Sequence, residues 1–328
     1  MSFLSGKKVL VAGGTGFMGS FLVEKLVDQG AHVRVVSRSD HGLRNLMSYK
    51  GRFEFIKADL HSIDVCKSAV KDMQMVFNLA AKVGGVGYNI NHHAVMFSEN
   101  SILNYNLIEA SRQANVERYL CTSSTCVYPG NCSIPFPEDE GFDGEPELSN
   151  LGYGLAKRMA ELQARLYANE YDMKVSIVRP NNSYGPRDDF NPETSHVIPA
   201  LIRKVFEAKD SITVWGSGKQ TRAFVYVEDV VEAMMETLTK YPVADPLNVS
   251  TDEEVTIEHL IRTIMATAGK DLELVFDTSK PEGMRRKNAS STKIQEKVGW
   301  KPRVTLKEGL RRTVEWYKSN AMQISSMN

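Results

Sequence analysis

Cysteine is scarce. The 328 residues contain four, Cys66, Cys121, Cys126 and Cys132, and no pair has C-x-x-C spacing. That argues against a disulfide framework and a cysteine-held zinc; no metal is expected, and a reducing cytoplasm is the expected home. Net charge is lacking too. Forty basic and forty acidic side chains cancel to zero, leaving no global field to attract nucleic acid or an anionic membrane surface, and neither is expected as a partner. No apolar run approaches the ~20 residues that span a bilayer. The opening stretch, MSFLSGKKVLVAGGTG, does not read as a secretory leader, because its apolar residues run straight into glycines. What is present, 42% hydrophobic and 24% charged residues, fits a globular chain long enough for two domains or one enlarged α/β domain.

Short apolar runs alternate with helical periodicity through the first half. Strands are expected at Lys8–Ala12, Val33–Ser37, Phe53–Lys57, Val76–Ala80, Tyr119–Ser123 and Val175–Arg179, and helices at Ser20–Gln29, Asn100–Ala114 and Tyr153–Tyr171. This alternation predicts crossover units and an α/β fold of the doubly wound, Rossmann type, its parallel sheet covered on both faces. From Asn181 to Pro199 the chain is rich in Asn, Pro, Asp and Gly and reads as loop; a helix at Ile198–Ala208 and a strand at Ile212–Trp215 follow. The expected division is a dinucleotide-binding domain over 1–180, to which segments near 220–250 return, and a smaller C-terminal substrate lobe over most of 181–328. The lobe would close over the carboxyl edge of the sheet, where open α/β folds bind ligands.

Gly13, Gly16 and Gly19 form a G-x-x-G-x-x-G turn with Thr15, Phe17 and Met18, between the first strand and the first helix. Glycines let the backbone approach a pyrophosphate, and a helix N-terminus offers it free N–H groups and a positive dipole end. The end of the second strand selects the cofactor. An acid there would bind the adenosine ribose of NAD, but this chain has Ser37 followed by Arg38. Arginine can hold a 2′-phosphate bidentately, so NADP(H) is favoured, with Asp40 near enough to leave NAD(H) open. Asp59 and Leu60 follow the third strand and suit the adenine, although Asp59 equally suits a loop cap. Leu79, Ala80 and Ala81 end the fourth strand beside the dinucleotide path.

Tyr153 and Lys157 lie four residues apart, which places both on one helix face. A nearby ammonium would lower the phenol pKa and let the tyrosine exchange a proton with a substrate oxygen. Ser123-Ser124-Thr125 falls about thirty residues upstream, at a strand end. A hydroxyl there can hold a carbonyl; Ser124 is the first choice and Thr125 the second.

These motifs, with Asn182-Ser183-Tyr184-Gly185-Pro186 and the run from Arg222 to Asp229, resemble the extended short-chain dehydrogenase/reductase family over nearly the whole chain. The resemblance implies a nucleotide-sugar substrate and a homodimer built through the helices near Asn100–Ala114 and Tyr153–Tyr171. Dehydratases of the family carry Thr-Asp-Glu where this chain has Thr125-Cys126-Val127, so dehydration is rejected. The segments Ser123–Pro129, Ala80–Gly85 (with Val83 and Gly84), Ser195–Ala200 and Val214–Gly218 are similar to the GDP-L-fucose synthase branch.

That similarity implies 3,5-epimerisation and NADPH-dependent 4-keto reduction of a GDP-4-keto-6-deoxyhexose. Cys126 and His196 would be the epimerisation base and acid; Ser124, Tyr153 and Lys157 would serve the reduction. Lys204, Arg222 and Lys287 match positions that contact the diphosphate, although Lys204 stands where the branch has arginine. Asn182 would touch the sugar or diphosphate, and Trp215 would flank the nucleotide. Arg285 and Arg286 read equally as solvated basic residues. Val83–Phe97 partly resembles GDP-mannose 3,5-epimerase, which leaves a GDP-sugar epimerase without net reduction as an alternative. Related enzymes on GDP-heptoses are another, and a redox-sensing binding module with this fold is the reading from a different class.

Overall fold

The computed structural model describes residues 2–279 and 284–325. The chain runs β1 (Lys8–Ala12), α1 (Phe17–Asp28), β2 (His32–Ser37), β3 (Glu54–Lys57), α2 (Ile63–Val70), β4 (Met75–Asn78), α3 (Val86–Asn91), α4 (His93–Gln113), β5 (Arg118–Thr122), α5 (Leu151–Tyr171) and β6 (Val175–Pro180). The second half adds β7 (Ser183–Tyr184), α6 (Val197–Glu207), β8 (Ser211–Trp215), β9 (Thr221–Ala223), β10 (Val225–Tyr226), α7 (Val227–Lys240), β11 (Pro246–Val249) and β12 (Glu254–Thr256). It closes with α8 (Ile257–Ala268), β13 (Glu273–Asp277), β14 (Arg286–Lys287), α9 (Thr292–Val298) and α10 (Leu306–Ser325).

Seven strands form one sheet in the order β11-β6-β5-β4-β1-β2-β3, and every neighbouring pair is parallel. This is the doubly wound α/β arrangement, and its strand order reverses between β1 and β4, the switch point where such sheets open a crevice. Burial explains the apolar runs. All of β4 is buried, as are four of the five residues of β1 and β5, because helices cover both faces. One large core joins the α1 side of the sheet to α7, α6, α8 and α10; a second lies on the α2, α4 and α5 side. β11 lies far along the chain yet pairs with β6, Leu247 opposite Val178.

The remaining strands form three small sheets: β10 with β7, β12-β9-β14, and β13 with β8. The stretch read as loop before α6 contains the short strand β7, paired in parallel with β10. Among the described residues, no helix is long and apolar enough to cross a membrane, and no group of three or more His, Cys, Asp or Glu could hold a metal ion.

Candidate active site

The turn from β1 to α1 is shaped by two glycines. Gly13 has φ +76°, and a Cβ on it would stand 3.0 Å from the Ala80 backbone. A Cβ on Gly19 would stand 2.2 Å from the Gly13 carbonyl oxygen, so α1 can begin this close only with glycine there. Gly16 caps α1, whose first turn carries no acid. The result is a helix N-terminus able to receive an anion.

From this turn opens a cleft of about 830 Å³. Twelve of the fourteen residues expected to hold the dinucleotide line it, Gly13, Thr15, Gly16, Phe17, Met18, Gly19, Arg38, Asp59, Leu60, Leu79, Ala80 and Ala81; the other two, Tyr153 and Lys157, do not. The glycine cradle and the cation at the end of β2 fit a phosphorylated dinucleotide. Thr15 Oγ1 donates to Ser37 Oγ at 2.8 Å, tying the turn to the β2 end. Asp40, the residue that left NAD(H) open, pairs instead with Lys57 at 3.3 Å; a hydrogen bond within its own residue and then Lys57 hold its carboxyl below the usual range. Asp59 faces the cleft and also caps its own turn, accepting from the His61 N–H at 3.1 Å and meeting the imidazole Nδ1 at 2.6 Å.

The Ser–Tyr–Lys group stands at the adjacent strand end. Cys121 of β5 pairs with Asn78 of β4, so the segment after β5 leaves the sheet beside Leu79–Ala81. Ser124 precedes a 3₁₀ turn, Thr125–Val127, and its Oγ accepts from the Cys126 N–H at 3.1 Å. Lys157 Nζ lies 5.5 Å from the centre of the Tyr153 ring and donates to the Thr122 carbonyl at 2.7 Å.

Here the electrostatics differ from expectation. Burial, aided by Cys126, raises the Tyr153 phenol pKa, and burial lowers that of Lys157. The cost of placing charge in a closed site exceeds the help that the ammonium gives the phenol at this distance. Of the four thiols, Cys126 is half-buried and the others are buried. Burial is the main cause holding Cys66, Cys121 and Cys132 up at about 12.

His196 sits at the N-cap of α6 and lines the cleft. Its ring is open to the cavity but walled by protein; burial and then Lys287 lower its pKa, against the pull of Asp189. Gly85 N donates to the Thr194 carbonyl at 2.7 Å, fastening the loop after β4 to the segment before His196. Val83 lines the same cleft, and Gly84 is buried against Tyr88.

The remaining candidates, like Ser124, Cys126, Tyr153 and Lys157, lie outside the lining of that cleft. Lys287 of β14 is in register with Arg222 of β9, so both side chains leave the same face of the small sheet. Arg222 donates to the carbonyls of Thr221 and Met284 at 2.7 and 2.8 Å. Arg286 takes the opposite face and holds both Glu254 carboxylate oxygens at 2.9 Å. Asn182 Nδ2 donates to the Ala223 carbonyl at 2.9 Å, next to Arg222. Lys204 Nζ reaches the Thr213 carbonyl at 3.3 Å, and Trp215 is exposed on the same strand. Thr125 is buried beneath the turn, its Oγ1 3.4 Å from Asn181 Oδ1.

Several lining residues were not anticipated. Arg44 and Asn45 come from the 3₁₀ segment His41–Tyr49, and Arg187 to Phe190 from the loop before α6. A second cation six residues after Arg38 was a usable signal for the first group. The 187–190 strap gave none, because only the fold carries it back to α1, where Arg187 Nη2 meets Glu24 at 2.9 Å.

Sheet, phosphate turn and the Ser–Tyr–Lys placement define a Rossmann protein of the extended short-chain dehydrogenase/reductase type. The model of the NAD dependent epimerase/dehydratase family matches residues 9–250, and the chain belongs to that family. It is 34% identical to a GDP-L-fucose synthase of Sinorhizobium fredii (strain NBRC 101917 / NGR234), over 98% of each chain. It is 30% identical to GDP-mannose 3,5-epimerase 1 of Oryza sativa subsp. indica, over 95% of this chain and 82% of that protein. In structure it is similar to a GDP-L-fucose synthetase from Naegleria fowleri bound to NADP, with TM-score 0.82 and 25% identity over 98% of this chain and 97% of the other.

Proposed function

We propose that the protein is an NADP(H)-dependent epimerase–reductase that inverts carbons 3 and 5 of a GDP-4-keto-6-deoxyhexose and then reduces its ketone. The observation that carries this reading is the pairing of two proton-transfer groups with the dinucleotide cleft. His196 lines the cleft itself, and half-buried Cys126 is on the turn packed against the head of α5, close enough to Tyr153 to act on its charge. The similarity to GDP-L-fucose synthases supports the GDP-sugar and the cofactor.

Protons on carbons 3 and 5 are acidified by the adjacent 4-keto group. Cys126 as thiolate takes one from one face of the ring, and His196 as imidazolium returns one from the other. Ser124 and Tyr153 donate hydrogen bonds to the keto oxygen as it gains enolate charge. The phenol suits this role because burial keeps it protonated, and Tyr153 then delivers a proton to the same oxygen. The chemistry drawn from NADPH when bound is hydride transfer to carbon 4. Arg38 selects the 2′-phosphate, and Lys287, Arg222 and Lys204 face the substrate diphosphate. We place the enzyme in a reducing cytoplasm, consistent with its free thiols. We also propose a homodimer through α4 and α5, which leave Ile102, Tyr105, Leu162 and Leu166 exposed.

The test uses purified protein, GDP-4-keto-6-deoxy-D-mannose and NADPH in D₂O, following product mass and NADPH absorbance together. Carbon-bound deuterium with NADPH loss is the expected result. Deuterium without NADPH loss moves the assignment to the pure epimerase, which the GDP-mannose 3,5-epimerase relative makes the second reading. The absence of both signals refutes this substrate.

A further inference from the structure

Beneath the candidate residues lies a fully enclosed ion pair that the chemistry above does not use. Arg179 of β6 and Glu161 of α5 are 1% and 0% exposed, with Arg179 Nη2 2.7 Å from Glu161 Oε2. Arg179 Nε donates to Oε1 at 2.8 Å, making the contact bidentate. The rest of the guanidinium is also engaged: Nη1 donates to the Tyr128 hydroxyl at 2.9 Å and to the Glu138 carbonyl at 2.8 Å. Tyr128 in turn donates to Asn248 Oδ1 at 2.7 Å.

The other carboxylate contact reaches the opposite end of the same segment. Ser123 Oγ donates to Glu161 Oε1, and Ser123 N donates to the Val178 carbonyl at 2.8 Å, next to Arg179. Lys157 and Glu161, one helical turn apart, thus fasten consecutive residues: Lys157 takes the Thr122 carbonyl and Glu161 the Ser123 hydroxyl. Ser124 comes next, and Cys126 lies between the two anchored residues, Ser123 and Tyr128.

We propose that Glu161 and Arg179 are positioning residues, a buried clamp that grips both ends of the 123–128 segment and sets where Ser124 Oγ and Cys126 Sγ stand relative to Tyr153. The proposal rests on the epimerase–reductase reading for what the segment does, not for how it is held. A charged pair suits the task because each ion, once buried, must keep its partners in one geometry, and the planar guanidinium fork fixes direction as lysine cannot.

The test compares Arg179→Lys and Tyr128→Phe with the unaltered protein. Tyr128→Phe deletes one hydroxyl and keeps the test available if Arg179→Lys does not fold. Four quantities are measured: kcat and KM for deuterium incorporation, the same for NADPH oxidation, the NADPH Kd, and the pH profile of iodoacetamide alkylation at Cys126, with Cys126→Ser as blank. The clamp predicts at least a tenfold fall in kcat for deuterium incorporation and at least a threefold change in alkylation rate in Arg179→Lys and Tyr128→Phe, with KM and NADPH Kd within twofold. In folded variants, a kcat fall of less than tenfold or an alkylation change of less than threefold would overturn it, as would parallel loss of both steps and of NADPH binding, the mark of general destabilisation. If the unaltered protein shows neither step, the functional reading fails and alkylation alone decides: a changed rate upholds the clamp and an unchanged one refutes it.

Discussion

At the scale of single residues, burial decides charge states here more than neighbours do. Asp188 is the clearest case. It is 8% exposed, its Oδ1 accepts the Asp189 N–H at 2.8 Å, and its Oδ2 has no hydrogen-bond partner among the described residues. Burial pushes its carboxyl up to about 8, against the hydrogen bond from the Asp189 N–H and with a smaller push from the Asp189 charge. The folded state therefore binds this proton when the unfolded state has lost it, so stability falls as pH rises from about 4 to about 8, by up to ~1.4 kcal/mol per pH unit. Asp188→Asn is expected to flatten that slope and to melt above the unaltered protein at pH 8; melting curves from pH 5 to 9 check it. His196 offers a second test. Lys287 lowers its pKa, so Lys287→Gln should move the His196 titration to higher pH in histidine NMR. With the substrate diphosphate beside Lys287 as proposed, the same charge logic predicts that its binding loads His196 with a proton.

At the scale of elements, α4 and α5 pack along their lengths, yet each keeps an apolar outer face. Ile102 and Tyr105 on one, and Met159, Leu162 and Leu166 on the other, are all more than two-fifths exposed. Contiguous faces of this kind mark interaction surfaces. The proposed homodimer predicts that the unaltered protein sediments as a dimer by analytical ultracentrifugation and Ile102→Glu with Leu162→Glu as a folded monomer, since neither position lies in the core. The helices themselves were legible from periodicity, but α4 begins at His93, not near Asn100. Its first turns leave Ala94 and Val95 exposed and bury Met96 and Asn100, whose Nδ2 donates to the Lys82 carbonyl at 3.0 Å. Hydrophobic spacing does not reveal an asparagine whose partner is a loop backbone.

At the scale of the whole molecule, the dinucleotide cleft joins segments from both ends of the chain, from Gly13 to Trp316 and Asn320. Ligand binding should therefore stabilise the protein as a unit. NADPH at about a hundred times its Kd adds ~2.7 kcal/mol; NADH at the same concentration should raise the melting temperature less, and Arg38→Ala should narrow the gap. Equal shifts from both cofactors would remove Arg38 as the selector.

The sequence by itself determined the alternating strands and helices, the glycine turn, the serine in place of an acid after β2, and the Tyr153–Lys157 spacing. Each is a short-range pattern whose physics is complete within a few residues. Tertiary structure alone decided which polar residues meet. It set Arg222 beside Lys287, turned Arg286 away to Glu254, brought the 187–190 strap to α1, and buried Glu161 against Arg179. Those pairings join residues remote in sequence, and their charge states follow from an enclosure that exists only once the sheet and its covering segments have closed.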